Sequence, residues 1–142
     1  MKDPKVLLVE DDRVDAEAVK RAFEKQRISN TLIMANDGIE ALEILRGEQS
    51  EPLQRPFIIL LDLNMPRMNG LEFLKQLRAD EMLRDTIVFV LTTSDDPRDK
   101  VAAYENQVAG YMVKSRVGED FLKLTELLSQ FWRIVEMPPA PH

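Results

Sequence analysis

Phe57-Ile58-Ile59-Leu60-Leu61-Asp62 is the stretch on which the fold turns. Five successive apolar residues, rich in branched types, match a strand buried on both faces, as in the middle of a parallel sheet. The run stops at a carboxylate. Leu63-Asn64-Met65-Pro66-Arg67-Met68-Asn69-Gly70 follows, a loop dense in turn-forming residues. An acid at the carboxyl end of a central strand stands where open α/β sheets bind their ligands. Asp62 is therefore the first candidate for a working residue.

Outward from this strand, the chain alternates. Lys5-Val6-Leu7-Leu8-Val9 is a strand candidate ending in Glu10-Asp11-Asp12, with Asp12 a candidate cap. Val14, Ala18, Val19, Ala22 and Phe23 then recur at helical spacing. Thr31–Ala35 is a second strand, Asn36-Asp37-Gly38 a turn, and Ile39–Arg46 a short helix. Gly47–Pro56 is a polar loop, longer than most connections in compact α/β units. After Asp62, Leu71–Ala79 is a helix with Leu71, Leu74 and Leu77/Arg78 defining its inward side. Thr86–Leu91 is a strand ending in Thr92-Thr93-Ser94. Asp95-Asp96-Pro97 opens a helix, with an acid at the cap and proline in the first turn. Gly110–Val113 is the fifth strand, ending in Lys114-Ser115, and Glu119 to about Phe131 is the last helix. Strand and helix in alternation predict an α/β fold, a doubly wound parallel sheet with helices on both faces.

The 142 residues suit one compact domain, long enough to bury a core without staples. There are no cysteines, so disulfides and thiolate-bound metals are excluded. No apolar run approaches the roughly 20 residues of a membrane span, and the amino terminus lacks the pattern of a signal peptide. A cytoplasmic location without membrane attachment is expected. The net charge of −6, with basic residues scattered, argues against nucleic-acid binding.

The chemistry lies at the strand ends. Glu10 and Asp11 follow the first strand, Asp62 the third, Thr92 the fourth and Lys114 the fifth. In a parallel sheet these ends share one edge, so three carboxylates, a hydroxyl and an ammonium converge. Clustered carboxylates stay ionised only beside a neutralising cation. Oxygen ligands without histidine or cysteine suit Mg²⁺ or Mn²⁺. Lys114 and Thr92 then offer a charge and a donor for phosphoryl oxygens, and a carboxylate can be the nucleophile. Without a glycine-rich phosphate loop, a nucleotide is not the obvious phosphoryl source. Each residue alone has a plainer reading: a helix cap, a turn hydroxyl, a surface cation or, for Tyr111, a core aromatic. Joint placement at the ends of different buried strands favours the shared site.

Glu10-Asp11, Asp62 with Leu-Asn-Met-Pro and Asn69-Gly70, Leu91-Thr92-Thr93 and Tyr111-Met112-Val113-Lys114 together resemble the receiver domain of two-component response regulators. The resemblance covers nearly the whole chain. It implies a flavodoxin-like sheet of strand order 2-1-3-4-5. It implies that Asp62 accepts a phosphoryl group from a sensor histidine kinase, and that Glu10, Asp11, Asp62 and the backbone carbonyl of Asn64 organise Mg²⁺. Thr92 and Lys114 would hold the phosphoryl oxygens, Thr92 and Tyr111 would form the switch pair, and Asn64 and Ser94 would tune hydrolysis. Such a protein is a phosphoacceptor that loses its own phosphoryl group rather than an enzyme acting on other substrates.

Ser115 departs from that family, which usually has proline after the lysine, so a trans peptide is expected there. The long loop and the Phe131-Trp132 tail resemble the single-domain regulators that partner bacterial phytochromes, in which the region after the fifth strand helps build a homodimer. A receiver domain over 1–131 is thus expected, with 132–142 as a dimerisation arm and a disordered end from Pro138. Phe131, Trp132, Ile134 and Val135 are the dimer candidates. No output domain is expected, so the protein would signal by docking to a downstream protein. Two other readings are a Mg²⁺-dependent aspartyl-nucleophile phosphatase and a phosphorylation-independent interaction module. Against the phosphatase, Asn64 stands where a second, general acid would be needed.

Overall fold

The structure is a computed structural model that describes residues 4–118 and 120–140. Its elements are β1 (Lys5–Val9), α1 (Arg13–Lys25), β2 (Leu32–Ala35), α2 (Gly38–Arg46), β3 (Phe57–Leu61), α3 (Gly70–Ala79), β4 (Ile87–Thr92), α4 (Pro97–Glu105), β5 (Gly110–Val113) and α5 (Leu122–Ile134). A short 3₁₀ turn, Lys114–Arg116, leads out of β5. The strands pair in parallel in the order β2-β1-β3-β4-β5, the expected topology. All five residues of β3 are buried, because β3 is central and both of its faces are covered.

Side-chain alternation along the strands divides the core. Leu7, Val9, Ile59, Leu61, Val88 and Val90 face a layer built from α2, α3 and α4. Val6, Leu8, Ile58, Leu60, Phe89 and Leu91 face α1 and α5. The helix starts follow local chemistry. Asp12 caps α1 by accepting from the amides of Val14 and Asp15, and Asp96 caps α4 with Pro97 in the first turn. Asn69 and Glu72 form a capping box on α3. Gly70 is required for a close approach: a Cβ there would lie 2.5 Å from the carbonyl oxygen of Asp62. The loop after β3 can therefore fold back tightly on its own strand.

Several expectations are corrected. Val14 is 74% exposed, and Ala16 takes the inward position on α1. On α3 Phe73 is fully buried, whereas Leu71 is only partly so. The last helix runs on to Ile134 instead of stopping near Phe131, with Leu124, Leu128 and Trp132 repeating every fourth residue along its inward side. Trp132 is 9% exposed and belongs to the α1–α5 core, so it is not part of an extension. Phe131 meets Phe89 edge to face at 5.0 Å, while Ile134 and Val135 are exposed. Nor is the tail free from Pro138: Met137 and Pro138 lie against Phe57 and Ile87, and the Arg55 guanidinium donates to the Pro139 carbonyl at 3.4 Å. Pro141, His142 and Glu119, the expected start of the last helix, lie outside the described residues. The cis peptide bond among the described residues is Arg55–Pro56; the Lys114–Ser115 bond is trans, as expected.

Because Trp132 fills the core, Trp132→Ala should lower the unfolding free energy by about 3–5 kcal/mol. Urea denaturation measures this, and a loss below about 1 kcal/mol would contradict the packing.

Candidate functional site

Sheet register builds the site. Val9 pairs with Leu61, so Glu10 and Asp62 are the next residues on adjacent strands, which lie about 4.8 Å apart. The Asp62 amide donates to the Val9 carbonyl at 3.0 Å, fixing this approach. Thr92 pairs with Val113, placing Lys114 just beyond the same edge. Carboxylate oxygens of Glu10, Asp11 and Asp62 all lie within 4.8 Å of one another. Glu10 and Asp62 are buried, whereas Asp11 is exposed at the mouth.

Lys114 enters this cluster from β5. Its Nζ lies 2.6 Å from Glu10 Oε1, 2.7 Å from Asp15 Oδ2 and 3.7 Å from Asp62 Oδ2. Burial opposes the ammonium charge, but its bonds to Asp15 and Glu10 outweigh that and hold the pKa above the usual lysine range. The Glu10 carboxyl is pushed up to about 8. Burial is the main cause; the Lys114 bond opposes it, and the Asp62 charge adds to it.

The other expected residues stand around this centre. The Asn64 amide donates to Asp62 Oδ1 at 3.3 Å, which orients the carboxylate, while the Asn64 side chain is exposed. Thr92 is fully buried at the end of β4, and its hydroxyl oxygen accepts from the Ser94 amide at 3.4 Å. Tyr111 is half-buried, and its hydroxyl donates to the Ser94 carbonyl at 2.9 Å. Ser94 thus links Thr92 to Tyr111, and its own hydroxyl donates to Asp99 at 2.5 Å.

Sequence reasoning missed Asp15, the partner of Lys114. The available signal was its place in the first turn of an α1 capped by Asp12, which starts at the same sheet edge. It also missed Asp37 and Arg67, which pair at 2.6 Å; the first read only as part of a turn and the second only as a loop residue. The donor set fits a small hard cation: three carboxylates share one mouth, with no nitrogen or sulfur ligand among them.

The chain matches the family model described as the response regulator receiver domain over residues 6–126. This protein belongs to the response regulator receiver family. It is 38% identical over 140 residues to the response regulator Rcp1 of Synechocystis, covering 96% of this chain and 95% of that protein. The solved Mn²⁺-bound form of Rcp1 superposes with a TM-score of 0.81 at 37% identity, over 96% of this chain and 100% of that one. The phosphorylated cyanobacterial phytochrome response regulator RcpA gives a TM-score of 0.84 at 30% identity, covering 97% and 100%. The bacteriophytochrome response regulator AtBRR gives 0.75 at 34%, covering 95% and 99%. Receivers bind Mg²⁺ or Mn²⁺ at an acidic site, are generally non-enzymatic signalling proteins, and imply a sensor-kinase partner. Among the described residues of this receiver, no helix is long and apolar enough to cross a membrane.

An acid whose pKa is higher in the folded chain contributes stability that is fully present below its unfolded value, 4.5 for Glu10, and is lost as pH rises through about 8. In chelator, the unfolding free energy should therefore fall across that window, and Glu10→Gln should remove most of the slope. Urea titrations at several pH values measure it. An identical slope in both proteins would show that Glu10 is not the group responsible.

Proposed function

We propose that this receiver takes a phosphoryl group onto Asp62 from the phosphohistidine of a sensor histidine kinase and passes the change on as a shift in shape. The observation that carries this reading is the convergence of the Glu10, Asp11 and Asp62 carboxylates within 4.8 Å, with the Lys114 ammonium 3.7 Å from Asp62. An Asp62 carboxylate oxygen attacks phosphorus, the bond from phosphorus to the imidazole nitrogen breaks, and an acyl phosphate remains on Asp62. Lys114 pairs with one phosphoryl oxygen and the Thr92 hydroxyl donates to another. Glu10, Asp11, Asp62 and the Asn64 carbonyl would hold Mg²⁺. When bound, that ion neutralises the charge on the transferring oxygens.

The Thr92 hydroxyl has a readout within reach. As it turns toward the phosphoryl group it gives up its weak contact with the Ser94 amide, and Ser94 carries the carbonyl that Tyr111 binds. The Tyr111 ring therefore reports the state of Thr92. Asn64 and Ser94 border the acceptor and set how fast water regenerates Asp62.

The partner kinase on this reading is a bacterial phytochrome, supported by the likeness to RcpA and AtBRR. The protein acts as a single-domain, cytoplasmic regulator, as a homodimer, on a downstream protein. Phe131 and Trp132 are engaged in the core, which leaves exposed Ile134, the last residue of α5, and Val135 just after it as the dimer contacts.

Incubation with acetyl phosphate and Mg²⁺ should add one phosphoryl mass to the intact protein and none to Asp62→Asn. Undiminished labelling of that variant would overturn the assignment. Replacing Ile134 and Val135 together by lysine should halve the mass seen by light scattering; a variant that stays dimeric would exclude these contacts.

A further inference from the structure

The acid site is split between two loops. One, after β1, carries Glu10 and Asp11; the other, after β3, carries Asp62 and Asn64. Hydrogen bonds between the strands hold the loops in register as far as Asp62. Beyond that residue the second loop leaves the sheet, and the ladder no longer controls it.

A short corner between β2 and α2, Ala35–Gly38, touches both loops. The Glu10 amide donates to the Ala35 carbonyl at 2.9 Å. On the other side, Arg67 Nε donates to Asp37 Oδ2 at 2.6 Å and the Gly38 amide donates to the Met68 carbonyl at 3.3 Å. A Cβ on Gly38 would lie 2.9 Å from the Met68 side chain, so glycine is what lets the corner and loop meet so closely. Asp37 is buried and fully engaged, since its Oδ1 also accepts from the Glu40 amide at 2.9 Å as the cap of α2. Arg67 has φ of 61°, a left-handed conformation that a residue with a side chain adopts only when its surroundings hold it there.

We propose that the Arg67–Asp37 pair is a clamp setting the spacing between the two acid-bearing loops, which makes Arg67 a positioning residue for divalent-cation binding. This rests on the reading of Glu10, Asp11 and Asp62 as a cation site. The clamp has a distinctive sign. If Arg67 acted only as a nearby positive charge, removing it would tighten cation binding. Acting as a clamp, its removal frees the loop, and binding weakens.

The test is a calorimetric titration of wild type, Arg67→Gln, Asp37→Asn and the double variant with Mn²⁺, alongside amide hydrogen exchange across residues 63–70. Asparagine is a good helix cap, so Asp37→Asn keeps the start of α2 while losing the charge that Arg67 binds. Each single variant should weaken Mn²⁺ binding about tenfold, the usual scale for a residue supporting a metal ligand. The double variant should be little worse than either single one, since both remove the same contact. Exchange in the loop should quicken in all three. Equal or tighter Mn²⁺ binding by Arg67→Gln, or a fully additive double variant, would overturn the clamp. Should wild type bind no Mn²⁺, the cation reading fails by itself; loop exchange then judges the clamp, and unchanged exchange in Arg67→Gln would overturn it.

Discussion

Parallel pairing forces negative charges together, and much of this structure answers that constraint. Once Val9 and Leu61 are paired, Glu10 and Asp62 have nowhere to diverge. Lys114 is the main internal answer, reaching Glu10, Asp15 and Asp62 from the end of β5, three places from β1 and two from β3 in the sheet. It is incomplete: burial and the neighbouring Asp62 charge still push the Glu10 carboxyl up to about 8. A site that remains short of positive charge in this way is prepared for a cation and for the exchange of partners around Lys114.

The hydrophobic core serves the same end. Burying β3 on both faces fixes Asp62 to a rigid support, and the alternating residues of its neighbours seat two helical layers. Gly70 brings the following loop back over the strand end, and the capping box at Asn69 and Glu72 anchors that loop to α3. Burial of Thr92 leaves its hydroxyl few partners besides the Ser94 amide. Asp62 thus follows directly on a strand buried on both faces, while the groups that would respond to it, Thr92 on β4 and Tyr111 on β5, meet at Ser94 in the loop after β4.

The sequence made the sheet legible because its strands are apolar runs that end abruptly in polar residues, as at Leu61-Asp62 and Val113-Lys114. The strand-end residues were legible for the same reason. Contacts between loops were not. Arg67 and Asp37 are thirty positions apart, and neither stands in a periodic pattern. The end of α5 was misplaced although a signal existed: Leu124, Leu128 and Trp132 share one four-residue repeat. Tryptophan beside exposed Arg133 and Ile134 resembles an interface, and only the packing of α5 against α1 and the sheet makes it a core residue.

Asp62 as the phosphoryl acceptor is the centre of this account. Reductive trapping addresses it most directly, because borohydride converts an aspartyl phosphate to homoserine without altering free carboxylates. After treatment with acetyl phosphate and Mg²⁺, peptide mass sequencing should find homoserine at position 62 and at no other acid. Homoserine at Asp11 or any other aspartate, the corresponding hydroxynorvaline at Glu10 or any other glutamate, or no reduced acid at all in protein that had gained phosphoryl mass, would contradict it.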